Sequence, residues 1–360
     1  MPNLQEIIYR TQSQNIKFEY TDGHNTFQRG ELGLSKSCLE GRLVFGRRIK
    51  VNSIEFTFKG IEETNYVPIG GRIKNRFSGF YKLTEKSKVF SLEGTDPMEY
   101  YDFKFSLNSN LSSSCLIGDR EKNVNGRIYY IFSVTVNIPG SFFTQRELCE
   151  IYCPLNQVLP YFSTPYKNVT GKHSVSNGTL FEYSFEIPEY FGLGTTIYVP
   201  IEVKFLETKV RIVRIDISLK EVTKYTFESS EESVKTKKQC CNYIEEPAKI
   251  LNNTLKQNLA LIVPDDLNSS YSGTYVEIKY KLCINFTLVG GGINIGNGDF
   301  YKEQTVIVAN FNRLNDSDHG NNNISIDEGP PQPPQEEKSC QNKASESSVV
   351  KEVPNTRDTQ

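Results

Sequence analysis

Apolar and polar residues alternate with a period of two along most of the chain. Ile54, Phe56 and Phe58 alternate with Glu55, Thr57 and Lys59, and Tyr101, Phe103, Phe105 and Leu107 with Asp102, Lys104 and Ser106. Tyr130, Phe132, Val134, Val136 and Ile138 follow the same rule, as do Phe181 to Ile187 and Ile197 to Phe205. The longest run is Val276, Ile278, Tyr280, Leu282, Ile284, Phe286 and Leu288. In a strand, residues i and i+2 share a face, so each run has one apolar face and one mostly polar face. Many such strands with turn signals between them predict antiparallel sandwiches. No long amphipathic helix is legible. A short one over 244–256 is weakened by Pro247 and by Asn252-Asn253.

The alternation lapses between 154 and 173, where Pro154, Pro160 and Pro165 recur. Proline removes a ladder donor, so this stretch is predicted as a linker. The expected organisation is therefore a sandwich over 1–153, a linker over 154–177 and a second sandwich over 178–312. The segment 313–360 turns to NDSDHGNNN and GPPQPPQEE, and its composition predicts a disordered tail.

Composition sharpens this picture. The 360 residues include 22 Phe and 20 Tyr but no Trp and only 2 Met, a core chemistry suited to pleated surfaces. A formal charge of −2 gives no long-range positive field, so nucleic acid is not an expected partner. MPNLQEIIYR lacks the apolar run of a secretory signal, which predicts a cytoplasmic chain, peripheral at most to the plasma membrane or endosomes. Of the 8 cysteines, Cys149 and Cys153 are close enough in sequence to pair or share a metal, but no second Cys/His pair accompanies them. Cys240-Cys241 falls in a predicted polar loop.

Candidate chemistry is sparse. The three histidines, His24, His173 and His319, lie in a turn, the linker and the tail, outside any nucleophile motif. Glu62-Glu63, Glu245-Glu246 and Asp265-Asp266 are adjacent pairs, and strand neighbours point oppositely, so they read as solvated charges rather than acid–base pairs. VGGGINIGNGD (289–299) fits a flexible hairpin loop. No catalytic residue, cofactor or metal is expected. Basic residues are more informative. Arg42, Arg47, Arg48 and Lys50 crowd the early strands, and Arg72, Lys74 and Arg76 alternate in GGRIKNRF. Together they form a candidate patch for phosphorylated tails or acidic lipid headgroups, arginine gripping phosphate in a bidentate way. The alternative is a solubilising face paired with local carboxylates. In the second half, Arg214, Lys220 and Lys224 have Asp216 and Glu221 available to neutralise them.

The order of these elements resembles the arrestin family in its α-arrestin form. LEGRLVFGRRIKVNSIEFTFKGIEE (39–63) is similar to the early strands of the arrestin N-domain, with Gly41, Arg47-Arg48 and Val51 to Gly60 as its landmarks. YDFKFSLNSNLSSS (101–114) and GRIYYIFSVTVNIPG (126–140) resemble the strands that follow, the first leading into a serine-ended loop. FEYSFEIPEYFGLGTTIYVPIEV (181–203), VRIVRIDISLKEVTKY (210–225) and YVEIKYKLCINFTL (275–288) resemble the C-domain, with an insertion-rich stretch at 226–258. The resemblance implies an all-β chain of two immunoglobulin-like sandwiches that works as a non-enzymatic trafficking adaptor. Its implied partners are cytoplasmic tails of membrane proteins, together with ubiquitin ligases or endocytic proteins. The tail departs from the family: Pro330, Pro331, Pro333 and Pro334 form a candidate docking element, but no tyrosine completes a Pro-Pro-x-Tyr motif. A retromer-type coat subunit shares the implied fold. An extracellular adhesion sandwich is the other alternative.

Overall fold

The computed structural model describes residues 6–69, 76–140, 143–160, 165–175, 178–207, 210–228, 230–245, 250–290 and 300–311. Among them every regular element is a strand. The first ten are β1 (Tyr9–Thr11), β2 (Ile16–Glu19), β3 (Gln28–Arg29), β4 (Cys38–Ile49), β5 (Ser53–Tyr66), β6 (Phe77–Ser91), β7 (Met98–Ser106), β8 (Cys115–Asp119), β9 (Val124–Ile138) and β10 (Gln145–Tyr152). They form one sheet in the order β1-β10-β9-β5-β6, with β8 beside β9, and a second in which β4 pairs with β2, β3 and β7. The core between them is aromatic. Phe132, fully buried on β9, stacks on Phe56 at 5.5 Å and meets Phe103 at 5.2 Å and Phe18 at 5.7 Å.

The remaining strands are β11 (Tyr166–Val175), β12 (Gly178–Pro188), β13 (Tyr190–Gly192), β14 (Thr196–Phe205), β15 (Arg211–Phe227), β16 (Ser230–Glu245), β17 (Thr254–Ile262), β18 (Tyr271–Ser272), β19 (Val276–Val289) and β20 (Phe300–Ala309). They build a second sandwich from the sheets β11-β12-β14-β17 and β13-β20-β19-β15-β16, with β18 beside β19. All pairings are antiparallel except β13 with β20. Phe181, Phe185, Phe286 and Phe300 centre its core, and Ile117 and Val124 from the first half extend it.

The chain is thus all-β, with two antiparallel sandwiches in tandem. Two local expectations are corrected, the linker and the loop at Cys240-Cys241. The predicted linker contains β11, an edge strand on which His173 sits. Among its described side chains Val169 alone is buried enough to join the core, so no apolar rhythm announces it. The stretch before β11 is not free either. Leu155 N–H donates to Ser114 Oγ (3.0 Å), Gln157 N–H to Ser113 Oγ (2.8 Å), Val158 N–H to the Leu32 carbonyl and Leu159 N–H to the Asn310 carbonyl. The segment 244–256 forms no helix among its described residues, because β16 runs to Glu245 and β17 starts at Thr254. Cys240-Cys241 lies on β16, paired across to Leu219 at a bulge, not in a loop. The 291–299 part of the glycine-rich hairpin and the tail from 312, including Pro330, Pro331, Pro333, Pro334 and His319, fall outside the described residues.

Candidate anion-docking surface

Among the described residues, the first-half basic residues are not gathered into one patch. Arg42 lies on β4 opposite Asp102 of β7 and binds it at 2.7 Å, with its guanidinium 4.3 Å from the Tyr100 ring. This is the locally neutralised arrangement. Arg47, Arg48 and Lys50 are exposed at the β4–β5 turn, where Arg48 Nε donates to the Pro97 carbonyl at 2.8 Å. Arg76 is held at the far end of β5, donating to Asn65 Oδ1 at 2.7 and 3.2 Å. At ~3.3 Å per residue, β5 separates Lys50 from Arg76 by roughly 40 Å. Arg72 and Lys74 lie outside the described residues.

A denser cationic surface arises on the second sandwich through strand register. On β15, Ile215, Ile217 and Leu219 point into the core, which turns Asp216, Ser218, Lys220, Val222 and Lys224 outward. Pairing places Lys224 opposite Lys235, Val222 opposite Lys237 and Lys220 opposite Gln239 on β16. On the other side, Lys220 faces Lys281 and Val222 faces Lys279 of β19. Directly paired residues share a face, so Lys220, Lys224, Lys235, Lys237, Lys279 and Lys281 line one surface. Strands ~4.8 Å apart and alternate residues ~6.7 Å apart keep the backbone positions of these lysines within about 17 Å of one another.

The available carboxylates do not cancel this charge. Glu277 takes Lys279 at 2.7 Å, Glu303 takes Lys281 at 2.5 Å and Asp216 takes Arg214 at 2.8 Å. Lys220 reaches the Tyr301 ring and hydroxyl, at 5.4 and 3.5 Å. Lys220, Lys224, Lys235 and Lys237 carry no ion pair among the described residues. Glu221 does not serve them, contrary to expectation. It faces the other side of the sheet and accepts from the Tyr280 hydroxyl at 3.0 Å and the Thr223 hydroxyl at 2.9 Å. Four lysines on a β-sheet face, none of them in an ion pair among the described residues, can hold a polyanion through point charges rather than bidentate forks.

The other candidate groups disperse. His24 is an exposed turn residue, and His173 is wedged between Phe181 and Phe300 with Nε2 buried and unpartnered. Burial pushes its imidazole pKa down. Cys149 and Cys153 are both in the first core, where burial pushes their thiols up to about 11 and about 12. Four residues along an extended chain is ~13 Å, beyond the reach of a disulfide or a shared metal. Among the described residues no group of three or more His, Cys, Asp or Glu is close enough to hold a metal ion. Glu63 faces outward and binds Arg127 at 2.7 Å. Its carboxyl is pushed up by burial, but hydrogen bonds from Asn65, Arg127 and Tyr129 outweigh that and bring it below the ordinary value. Glu62, read from sequence as solvated, is fully buried.

No curated protein matches the chain significantly. Residues 179–300, from β12 to the start of β20, match the family model described as Arrestin (or S-antigen), C-terminal domain. The second sandwich, the one that carries the lysine face, is thus similar to the C-terminal domain of the arrestin family.

Proposed function

We propose that this protein is a non-enzymatic trafficking adaptor of arrestin type, in its α-arrestin form. It recognises anionic groups on the cytoplasmic side of membranes through the outer face of β16, β15 and β19. The observation that carries this reading is the set of four lysines, Lys220, Lys224, Lys235 and Lys237, brought onto one face with no ion pair among the described residues. The ligands that fit are phosphorylated or acidic tails of membrane proteins and acidic lipid headgroups, both of which present clustered negative charge at a surface. The exposed Arg47, Arg48 and Lys50 turn supplies a second, weaker contact at the opposite end of β5. Links to ubiquitin ligases or endocytic proteins follow from the family resemblance and would run through the tail, including Pro330 to Pro334.

The test is co-sedimentation of the full chain with vesicles containing phosphatidylserine or a phosphoinositide, over a salt series. Fluorescence anisotropy with phosphorylated and unphosphorylated peptides runs in parallel. Binding that weakens as salt rises supports the reading, since the Debye length falls from ~10 Å at 0.1 M to ~3 Å at 1 M. Absence of binding to every anionic probe at low salt overturns it.

A further inference from the structure

Glu62 is a carboxylate with no exposed surface at all. It projects from β5 of the first sandwich, and its partners across the seam belong to the second. The N–H of Thr274 donates to Oε2 at 3.0 Å, and those of Tyr275 and Val276 to Oε1 at 2.9 and 2.6 Å. Three consecutive amides at the entry to β19 therefore converge on one side chain, the arrangement by which backbone nests hold anions. Tyr271 stands beside it, its phenol pushed above the ordinary value by burial and then by the neighbouring Glu62 charge.

The contacts around it all join the same two bodies. Thr64, two residues on, donates its hydroxyl to the Thr226 carbonyl at 2.8 Å. Glu228 N–H donates to the Ser78 carbonyl at 3.0 Å, and Tyr66 stacks on Phe227 with ring centres 5.5 Å apart. Gly79 admits the Tyr275 ring, which a Cβ there would meet at 2.7 Å. A Cβ at Gly273 would collide with the Glu62 carboxylate itself.

A buried carboxylate is costly unless hydrogen bonds replace its lost hydration. Here those bonds come from the opposite sandwich, so sliding the two bodies by an ångström or two strands the charge. We infer that Glu62 is an interdomain clamp that fixes the angle between the sandwiches. The clamp does not depend on what the lysine face binds. Any change in the angle must first break the Glu62 contact with the 274–276 amides.

Amide hydrogen exchange on the full chain tests this with Glu62→Ala and Glu62→Gln, the latter keeping the side-chain shape and one acceptor oxygen. The clamp predicts exchange about tenfold faster or more at Thr274 to Val276 and also at Glu228, whose N–H crosses the seam elsewhere. The ladder amides of each sandwich, such as Phe56 and Leu282, keep their protection. Added acetate, which can occupy the vacated amides of Glu62→Ala, restores protection at Glu228. Unchanged exchange at Glu228 in either folded variant makes Glu62 a local cap and overturns the clamp. So does joint loss of the ladder amides of both sandwiches in Glu62→Gln, because Glu62 would then hold the fold rather than the angle.

Discussion

Lys220 and Glu221 are neighbours in the chain, yet β15 turns them to opposite faces: Lys220 lies outward opposite Lys281, while Glu221 accepts from the buried Tyr280 hydroxyl. The carboxylate nearest in sequence is therefore lost to the lysine as a counter-charge. The same parity operates along β16 and β19, where Lys235, Lys237, Lys279 and Lys281 fall on the outward side. The cationic face is a product of register across the β15–β16 hairpin and between β15 and the more distant β19. It needs no excess of basic residues in the chain, whose formal charge is −2.

The first sandwich depends on Phe132, which is wholly buried and in ring contact with Phe18, Phe56, Phe103 and Phe105. Phe132→Ala removes a side chain that its neighbours cannot collapse onto and is expected to cost about 3–5 kcal/mol. Thermal denaturation of the variant should show a transition several degrees below wild type. An unchanged transition would contradict the packing described.

His173 gives the second sandwich a pH-sensitive weak point. Its folded pKa is lowered by burial, whereas the unfolded chain takes up the proton near pH ~6.5. Between the folded and unfolded values the unfolded state binds more protons, so stability is lost as pH falls through that window. His173→Phe keeps the packing against Phe181 and Phe300 and removes the unpartnered Nε2. It should raise stability by about 1 kcal/mol and flatten the dependence below pH ~6.5. Urea denaturation midpoints across that range measure both effects.

Cys149 and Cys153 are buried thiols whose pKa values are pushed up, so the reactive thiolate is scarce at neutral pH. Brief alkylation of the native protein at pH 8 should leave both unmodified, and alkylation in denaturant should label both. Mass spectrometry of the peptides decides. A disulfide between them in the native protein would contradict the structure.

The strands that cover the cores were legible as alternation: β5, β7, β9, β12, β14 and β19 each bury one face with apolar side chains. Edge strands were not. β11 buries little beyond Val169, and Lys235, Lys237 and Lys238 of β16 are exposed, so neither shows an apolar rhythm. Lysine along an edge also guards against unwanted pairing. In the candidate site, Lys220 and Lys224 were visible as basic residues on one strand. Lys235 and Lys237 joined them across the β15–β16 hairpin, and Lys279 and Lys281 through pairing partners far along the chain. Arg42 met the carboxylate across the ladder, which sequence offered only as an alternative. Glu62 was misread because its partners are backbone amides more than two hundred residues distant, a contact no side-chain motif records.

The most direct test of the lysine face is a titration comparing wild type, Lys224→Glu/Lys237→Glu and Arg47→Glu/Arg48→Glu, read by anisotropy of a phosphorylated peptide and by vesicle co-sedimentation at ~0.1 M salt. The account predicts that the lysine pair costs tenfold or more in affinity, about 1.4 kcal/mol, while the arginine pair costs several-fold less. Equal binding by wild type and the lysine variant, with loss confined to the arginine variant, would contradict it and move the docking surface to the β4–β5 turn.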